Sequence, residues 1–224
     1  MSISIIVPML NESSQLPDLL GHIIEYKKAG CDVILVDGGS TDQSAEQAEA
    51  LGFTVLRSVK GRAVQMNTGA KSASSDILLF LHADTRLPEN ADQIIERAFE
   101  DKNAQWGRFD IKITGQAFML KVVAWFMNHR SRLSSIVTGD QAVFIRRDLF
   151  EKLGGFPVQA LMEDIEFSKR LKGTCKPIAL RAKVHTSGRR WEQKGIWRTI
   201  FLMWSLRFAY WRGASAAELA SKYR

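Results

Sequence analysis

The sequence predicts an α/β fold: a mixed, mostly parallel sheet flanked by helices, followed by an amphipathic C-terminal helix. Three observations carry this. Short unbroken apolar runs, Val33 to Val36 and Ile77 to Leu81, read as strands buried on both faces. Such runs alternate with helical patterns at the spacing of βαβ units. Three of them stop abruptly at polar clusters, Pro8 to Glu12, Asp37 to Asp42 and His82-Ala83-Asp84. In an open parallel sheet, ligands bind beyond the carboxyl ends of the strands. The clusters therefore mark one functional rim.

In chain order, Ser2 to Val7 forms a first strand, and a helical pattern runs from about Ser14 to Lys28. Asp32 to Val36 is the second strand. Ser40 or Thr41 is expected to cap a helix from Gln43 to Leu51, with Gly52 closing it. Phe53 to Leu56 is a third strand. Gly61-Arg62 open a helix that lasts to Ala73, and Ile77 to Leu81 is the fourth strand. Beyond Pro88 the alternation loosens. Helices are expected over 90–99, 118–133, 147–153 and 163–171, and strands over 106–113, 142–145 and 178–185. One long helix is expected from Gln193 to Arg212. The expected organisation is one domain over 1–190, with a change of character between its halves 1–104 and 105–190, and a helical extension over 191–224.

Composition narrows the class. The hydrophobic share of 46% and charged share of 25% are ordinary for a globular protein. Cys31 and Cys175 have neither metal-ligand spacing nor a disulfide framework around them, which fits a reducing compartment. The N-terminus lacks the basic segment of a signal peptide, and no run reaches the roughly 18 uncharged apolar residues that span a bilayer. The expected location is cytoplasmic. The net charge of +7 is concentrated: from Arg181 onward ten Lys/Arg face two Asp/Glu. A globally basic chain would suggest nucleic acid; a basic end on a neutral body suggests instead a local anionic partner.

No G-x-G-x-x-G follows the first strand, and no G-x-x-x-x-G-K-[ST] occurs, which argues against dinucleotide and P-loop binding. Asp84, at the end of a buried strand, is placed to hold a divalent cation against phosphate oxygens. Arg62, beside a helix N-terminus, suits an anion.

Taken in order, VPMLNE, VDGGSTD, GRAVQMNTGA, LHADT, GDQAVF and LMEDIEF resemble the motifs of the family-2 glycosyltransferases, inverting enzymes of the GT-A fold that use nucleotide-sugar donors and a divalent metal. The resemblance runs from about Ser2 to Trp191. It implies that Pro8, Leu10 and Glu12 line the base and ribose of the donor, and that Asp37 accepts a hydrogen bond from the base, typically uracil. Gly38 stands where the second Asp of that motif is usual. Arg62 matches a nucleotide contact. The D-x-D pattern is H-A-D here, so Asp84 matches the metal-binding carboxylate (Mn²⁺ or Mg²⁺) while His82 replaces the Asp that touches ribose. His185 matches a position that often supplies a further metal ligand. Glu163-Asp164 match the acidic pair, with Asp164 as the base that takes the acceptor proton and Glu163 as its neighbour or substitute. Asp140 and Gln141 fall on the acceptor loop. Ser187 to Trp191 resembles Q-x-x-R-W, giving Arg190 and Trp191 diphosphate or acceptor contacts.

The C-terminal segment adds an aromatic stripe, Trp197, Phe201, Trp204, Phe208 and Trp211, flanked by Arg198 and Arg207. A helix apolar nearly all round needs two apolar partners. One face is expected on the body. The other meets an anionic membrane at its inner surface, a second subunit, or the protein's own core. Two rival functions stand beside the transferase: a nucleotidyltransferase, which would carry a Gly-rich basic segment after the first strand, and a non-catalytic nucleotide-sugar-binding module, favoured by Gly38 and His82.

Overall fold

The computed structural model describes residues 1–223. The first half is a regular alternation: β1 (Ile3–Met9), α1 (Leu16–Lys28), β2 (Asp32–Asp37), α2 (Ser44–Ala50), β3 (Thr54–Arg57), α3 (Arg62–Ser72) and β4 (Ile77–Phe80). These four strands are parallel, in the order β3-β2-β1-β4. The period-two alternation of β1 divides its side chains between two cores. Ile3, Ile5, Val7 and Met9 meet α1 on one side. Ile6 meets Ala63, Met66 and Ala70 of α3 on the other.

The second half continues the sheet. It comprises β5 (Thr85–Arg86), α4 (Ala91–Ala98), β6 (Trp106–Thr114), α5 (Phe118–Ser134), a 3-10 turn (Gly139–Gln141), β7 (Phe144–Arg146), α6 (Arg147–Lys152), α7 (Glu163–Lys172) and β8 (Ile178–Ser187). The eight strands run β3-β2-β1-β4-β7-β6-β8-β5, with β7 and β5 antiparallel to their neighbours. This is the mixed, mostly parallel sheet that the sequence predicts.

A register shift between Phe109 and Asp110 disturbs the pairing of β6 with β8, and α5 compensates. The Asn128 amide accepts from the Ile111 N–H (2.8 Å) and donates to the Ile111 carbonyl (3.0 Å). The fully buried Arg108 pairs with Asp110, and Arg132 of α5 reaches the other oxygen of that carboxylate at 2.6 Å. A buried charge is tolerated only when paired and hydrogen-bonded in this way.

Two local expectations are corrected. Neither Ser40 nor Thr41 caps α2. Ser40 turns back onto Asp37, and the Ser44 N–H donates instead to Asp42 Oδ1 at 3.0 Å. The long helix expected over 193–212 is two helices, α8 (Arg189–Lys194) and α9 (Ile196–Trp211), followed by α10 (Ala216–Tyr223). The break is at Gly195, with φ +86°. An L side chain rarely adopts that value and glycine does so freely. The inner face of α9 packs through Leu206 onto Met162, Ile165 and Leu219. Its aromatic stripe stays exposed, from 60% for Phe208 to 78% for Trp211. A helix buried wholly in its own core is therefore excluded. Among the described residues, no helix is long and apolar enough to cross a membrane.

Candidate active site

The carboxyl ends of β1 and β4, the N-termini of α3 and α7 and the C-terminal helices enclose a cleft of about 650 Å³. Pro8, Leu10 and Glu12 line it. Arg62, His82, Asp84, Asp140 and Glu163 line it too, as do Arg190, Trp191 and Tyr223. A narrow recess of about 10 Å³ shares Arg62, His82 and Glu163 with the cleft, and Asp164 lines it.

Each side chain is positioned by its place in the fold. Arg62 is the first residue of α3, and its Nη1 lies 3.4 Å from Oε1 of the buried Glu163. Burial opposes the charge of Arg62, but Glu163 and Asp164 outweigh it and push its pKa up. Glu163 and Asp164 open α7 directly after Met162, which holds a left-handed φ of +66°. A non-glycine residue there is strained, and strain of this kind clusters at functional sites. Asp164 Oδ2 accepts the Gly139 N–H (3.1 Å) and Oδ1 accepts the Ile165 N–H (2.8 Å). Burial, then the charge of Glu163, raises its carboxyl to about 6 against the pull of Arg62.

His82 Nδ1 lies 3.2 Å from Asp140 Oδ1. His82 Nε2 is buried against Gly139, where a Cβ would come within 2.2 Å of it. Burial alone would raise Asp140, yet His82, Arg62 and Arg190 hold its pKa below the ordinary value. Elsewhere in the lining, burial and then Asp84 raise the Glu12 carboxyl. The lining thus combines a cation at Arg62 and a half-buried carboxylate at Asp84 with a carboxyl raised to about 6 in the adjoining recess. That combination suits stabilising a departing anion while a hydroxyl is deprotonated.

The family model described as "Glycosyl transferase family 2" matches residues 4–154. The chain belongs to glycosyl transferase family 2. A PGL/p-HBAD biosynthesis glycosyltransferase of Mycobacterium bovis is 30% identical over 184 residues, covering 75% of this chain and 68% of that protein. An uncharacterized glycosyltransferase of Haemophilus influenzae is 26% identical, and the match covers 75% of this chain but only 61% of that protein's length. Among solved structures, S. aureus TarS 1–349 in complex with UDP superposes with a TM-score of 0.68 at 19% identity, over 84% of this chain and 60% of that one. The mannosyltransferase PcManGT from Pyrobaculum calidifontis, in complex with GDP-Man and Mn²⁺, gives 0.63 at 20%, over 99% and 68%. The GT-A fold is thereby shown.

In this family member several residues named from sequence lie off the cleft. Asp37 is buried, and its carboxylate accepts from the Gly39 and Ser40 N–H groups and pairs with Arg57 at 3.5 Å. Gly38 has a packing reason. Gln65 Nε2 donates to the carbonyls of Met9 (2.8 Å) and Val36 (2.9 Å), and a Cβ at position 38 would lie 2.9 Å from its Cδ. A second Asp there would have to displace the Gln65 amide from those bonds. Gln141 is fully buried, donating to Ser131 Oγ at 3.0 Å, so it holds the Gly139–Gln141 turn from behind and does not line the cleft. His185 does not line the cleft either. Side chains alternate along β8, so Thr186 faces inward and His185 outward, beside Lys112 and Lys183, whose charges lower its pKa after desolvation.

Sequence reasoning missed Tyr223. Arg190 Cζ sits 3.8 Å from its ring centroid, and Arg190 Nη2 donates to its carbonyl at 2.9 Å. Burial raises its hydroxyl pKa, and Arg190 and Arg62 oppose that. No local pattern marks a tyrosine 33 residues beyond its partner. Thr199 and Met203 of α9, which also line the cleft, escaped for the same reason.

Proposed function

We propose that this protein transfers a sugar, with inversion, from a nucleoside-diphosphate sugar to a hydroxyl acceptor, and that UDP-sugars are the first donors to test. The observation that carries the reading is the meeting of Arg62, Asp84, Asp140 and Glu163 in one cleft, with Asp164 in the adjoining recess. Pro8, Leu10 and Glu12 take the nucleoside, and Asp140, Arg190 and Trp191 take the acceptor. Asp164 removes the acceptor's hydroxyl proton. The oxygen attacks the anomeric carbon from the face opposite the diphosphate, and the carbon–oxygen bond to the diphosphate breaks. A carboxyl tuned to about 6 is ionised at neutral pH yet remains basic enough to help. Arg62 offsets charge on the leaving diphosphate, and Glu163, held by Arg62, keeps the guanidinium in place.

Among the described residues no group of three His, Cys, Asp or Glu converges as a protein-only metal cage. The donor set instead fits a hard cation held by one or two carboxylates plus diphosphate oxygens. Asp84 would hold Mn²⁺ or Mg²⁺, with Glu12 next to it, as their mutual charge effect indicates. When bound, the ion would neutralise charge on the leaving group.

The direct test is to incubate the protein with UDP-sugars and GDP-mannose and identify the released nucleotide. Nucleoside diphosphate is the expected product. Pyrophosphate would point to a nucleotidyltransferase. No turnover, with donor binding intact, would point to a non-catalytic module.

A further inference from the structure

The outer face of α9 is not used by the cleft. At 100° per residue, Trp197, Phe201, Trp204, Phe208 and Trp211 fall within an arc of about 80°. The stripe is about 21 Å long at 1.5 Å per residue. All five side chains are exposed. Five large aromatics in one exposed row exceed the scattered apolar residues of an ordinary surface. Basic residues flank the row on both sides: Arg207 on one, Arg212 and Arg198 on the other, with the Arg212 guanidinium over the Phe208 ring at 6.0 Å. Between Glu192 and Glu218 the sequence contains no acidic residue.

We propose that this face of α9 is a docking surface for an anionic lipid bilayer. Tryptophan and phenylalanine settle at the boundary between headgroups and acyl chains, with their apolar faces buried and the Trp N–H near water. Arginine stems lie along the apolar row while the guanidinium groups reach lipid phosphates. The charge pattern separates this occupant from a second copy of the chain. A symmetric contact through the same face would set Arg198, Arg207 and Arg212 against their own equivalents, with no carboxylate on either helix to pair them. The opposite side of α9 contributes Thr199 and Met203 to the cleft wall. Docking would therefore seat the bilayer about one helix diameter, roughly 10 Å, from the cleft.

Sedimentation with sucrose-loaded vesicles tests this. One set is phosphatidylcholine alone, and the other contains one part in three phosphatidylglycerol. The wild type is expected to pellet with the anionic vesicles at least tenfold more strongly than with the neutral ones. Trp204→Glu, Phe208→Glu is expected to lose that binding while retaining the wild-type Tm and nucleotide binding, since both residues are exposed. A second variant, Arg198→Glu, Arg212→Glu, is expected to lose the preference for anionic lipid. Equal pelleting of wild type and the aromatic variant overturns the proposal, and so does no pelleting of either. Light scattering that shows a lipid-free dimer, dissociated by the aromatic variant, also overturns it by assigning the face to a second copy.

Discussion

The smallest features of the site carry sharp consequences. Gly38 is a packing requirement imposed by Gln65, which spans the ends of β1 and β2. Gly38→Asp should lower Tm by several degrees, in line with the roughly 1–3 kcal/mol of an overpacked position. Combining it with Gln65→Ala should cost less than the sum of the two single changes, because they share one contact. Thermal denaturation of the four proteins reads this directly. Tyr223 makes a different prediction. With its ring over Arg190, Tyr223→Ala should raise the acceptor KM by about tenfold, the scale of a partly desolvated cation–π contact, and leave donor hydrolysis nearly unchanged. Equal effects on both would make Tyr223 a structural residue only. Sequence reading named Asp84, Asp140 and Glu163, which line the cleft, but also Asp37 and His185, which do not; the place of His185 on β8 was legible and its parity was not. A one-residue difference in register reverses the face a strand residue presents.

The elements explain why half of the fold was easier to read than the rest. The first half follows from buried apolar runs separated by helical periods, and β1, β2 and β4 appear within a few residues of their expected bounds. The second half depends on long-range compensation. The displaced register of β6 is repaired by Asn128 of α5, and Arg108 is accommodated by Asp110 and Arg132. Nothing local to Trp106–Thr114 announces those partners. Asp110→Ala should leave the buried Arg108 unpaired and destabilise the protein by about 3–5 kcal/mol, measurable as a large fall in the denaturant midpoint. The break at Gly195 was hidden for another reason: a lone glycine between good helix formers such as Gln193 and Lys194 is tolerated inside a helix, and only the φ of +86° shows that the chain turns.

At the scale of the whole molecule, strands that end at one rim bring Asp84 and Glu163 into a cleft although 79 residues separate them in the chain, with Asp164 in the recess beside it. That convergence also leaves a trace in stability. Burial and Glu163 raise the Asp164 pKa from its ordinary value to about 6, so the folded protein holds this proton more tightly than the unfolded chain does. Its stabilising contribution is complete below the unfolded pKa and is lost as pH rises through about 6. Asp164→Asn should accordingly have a higher Tm than the wild type at pH 8, with the gap closing toward pH 4. The central claim is that this carboxylate is the base. Its most direct test is the pH dependence of acceptor-dependent nucleoside diphosphate release. The wild-type rate should rise with pH through an ionisation near 6, and Asp164→Asn should lose that limb and about 10²–10⁴-fold in rate. A variant that keeps the wild-type rate and the same acidic limb would contradict it.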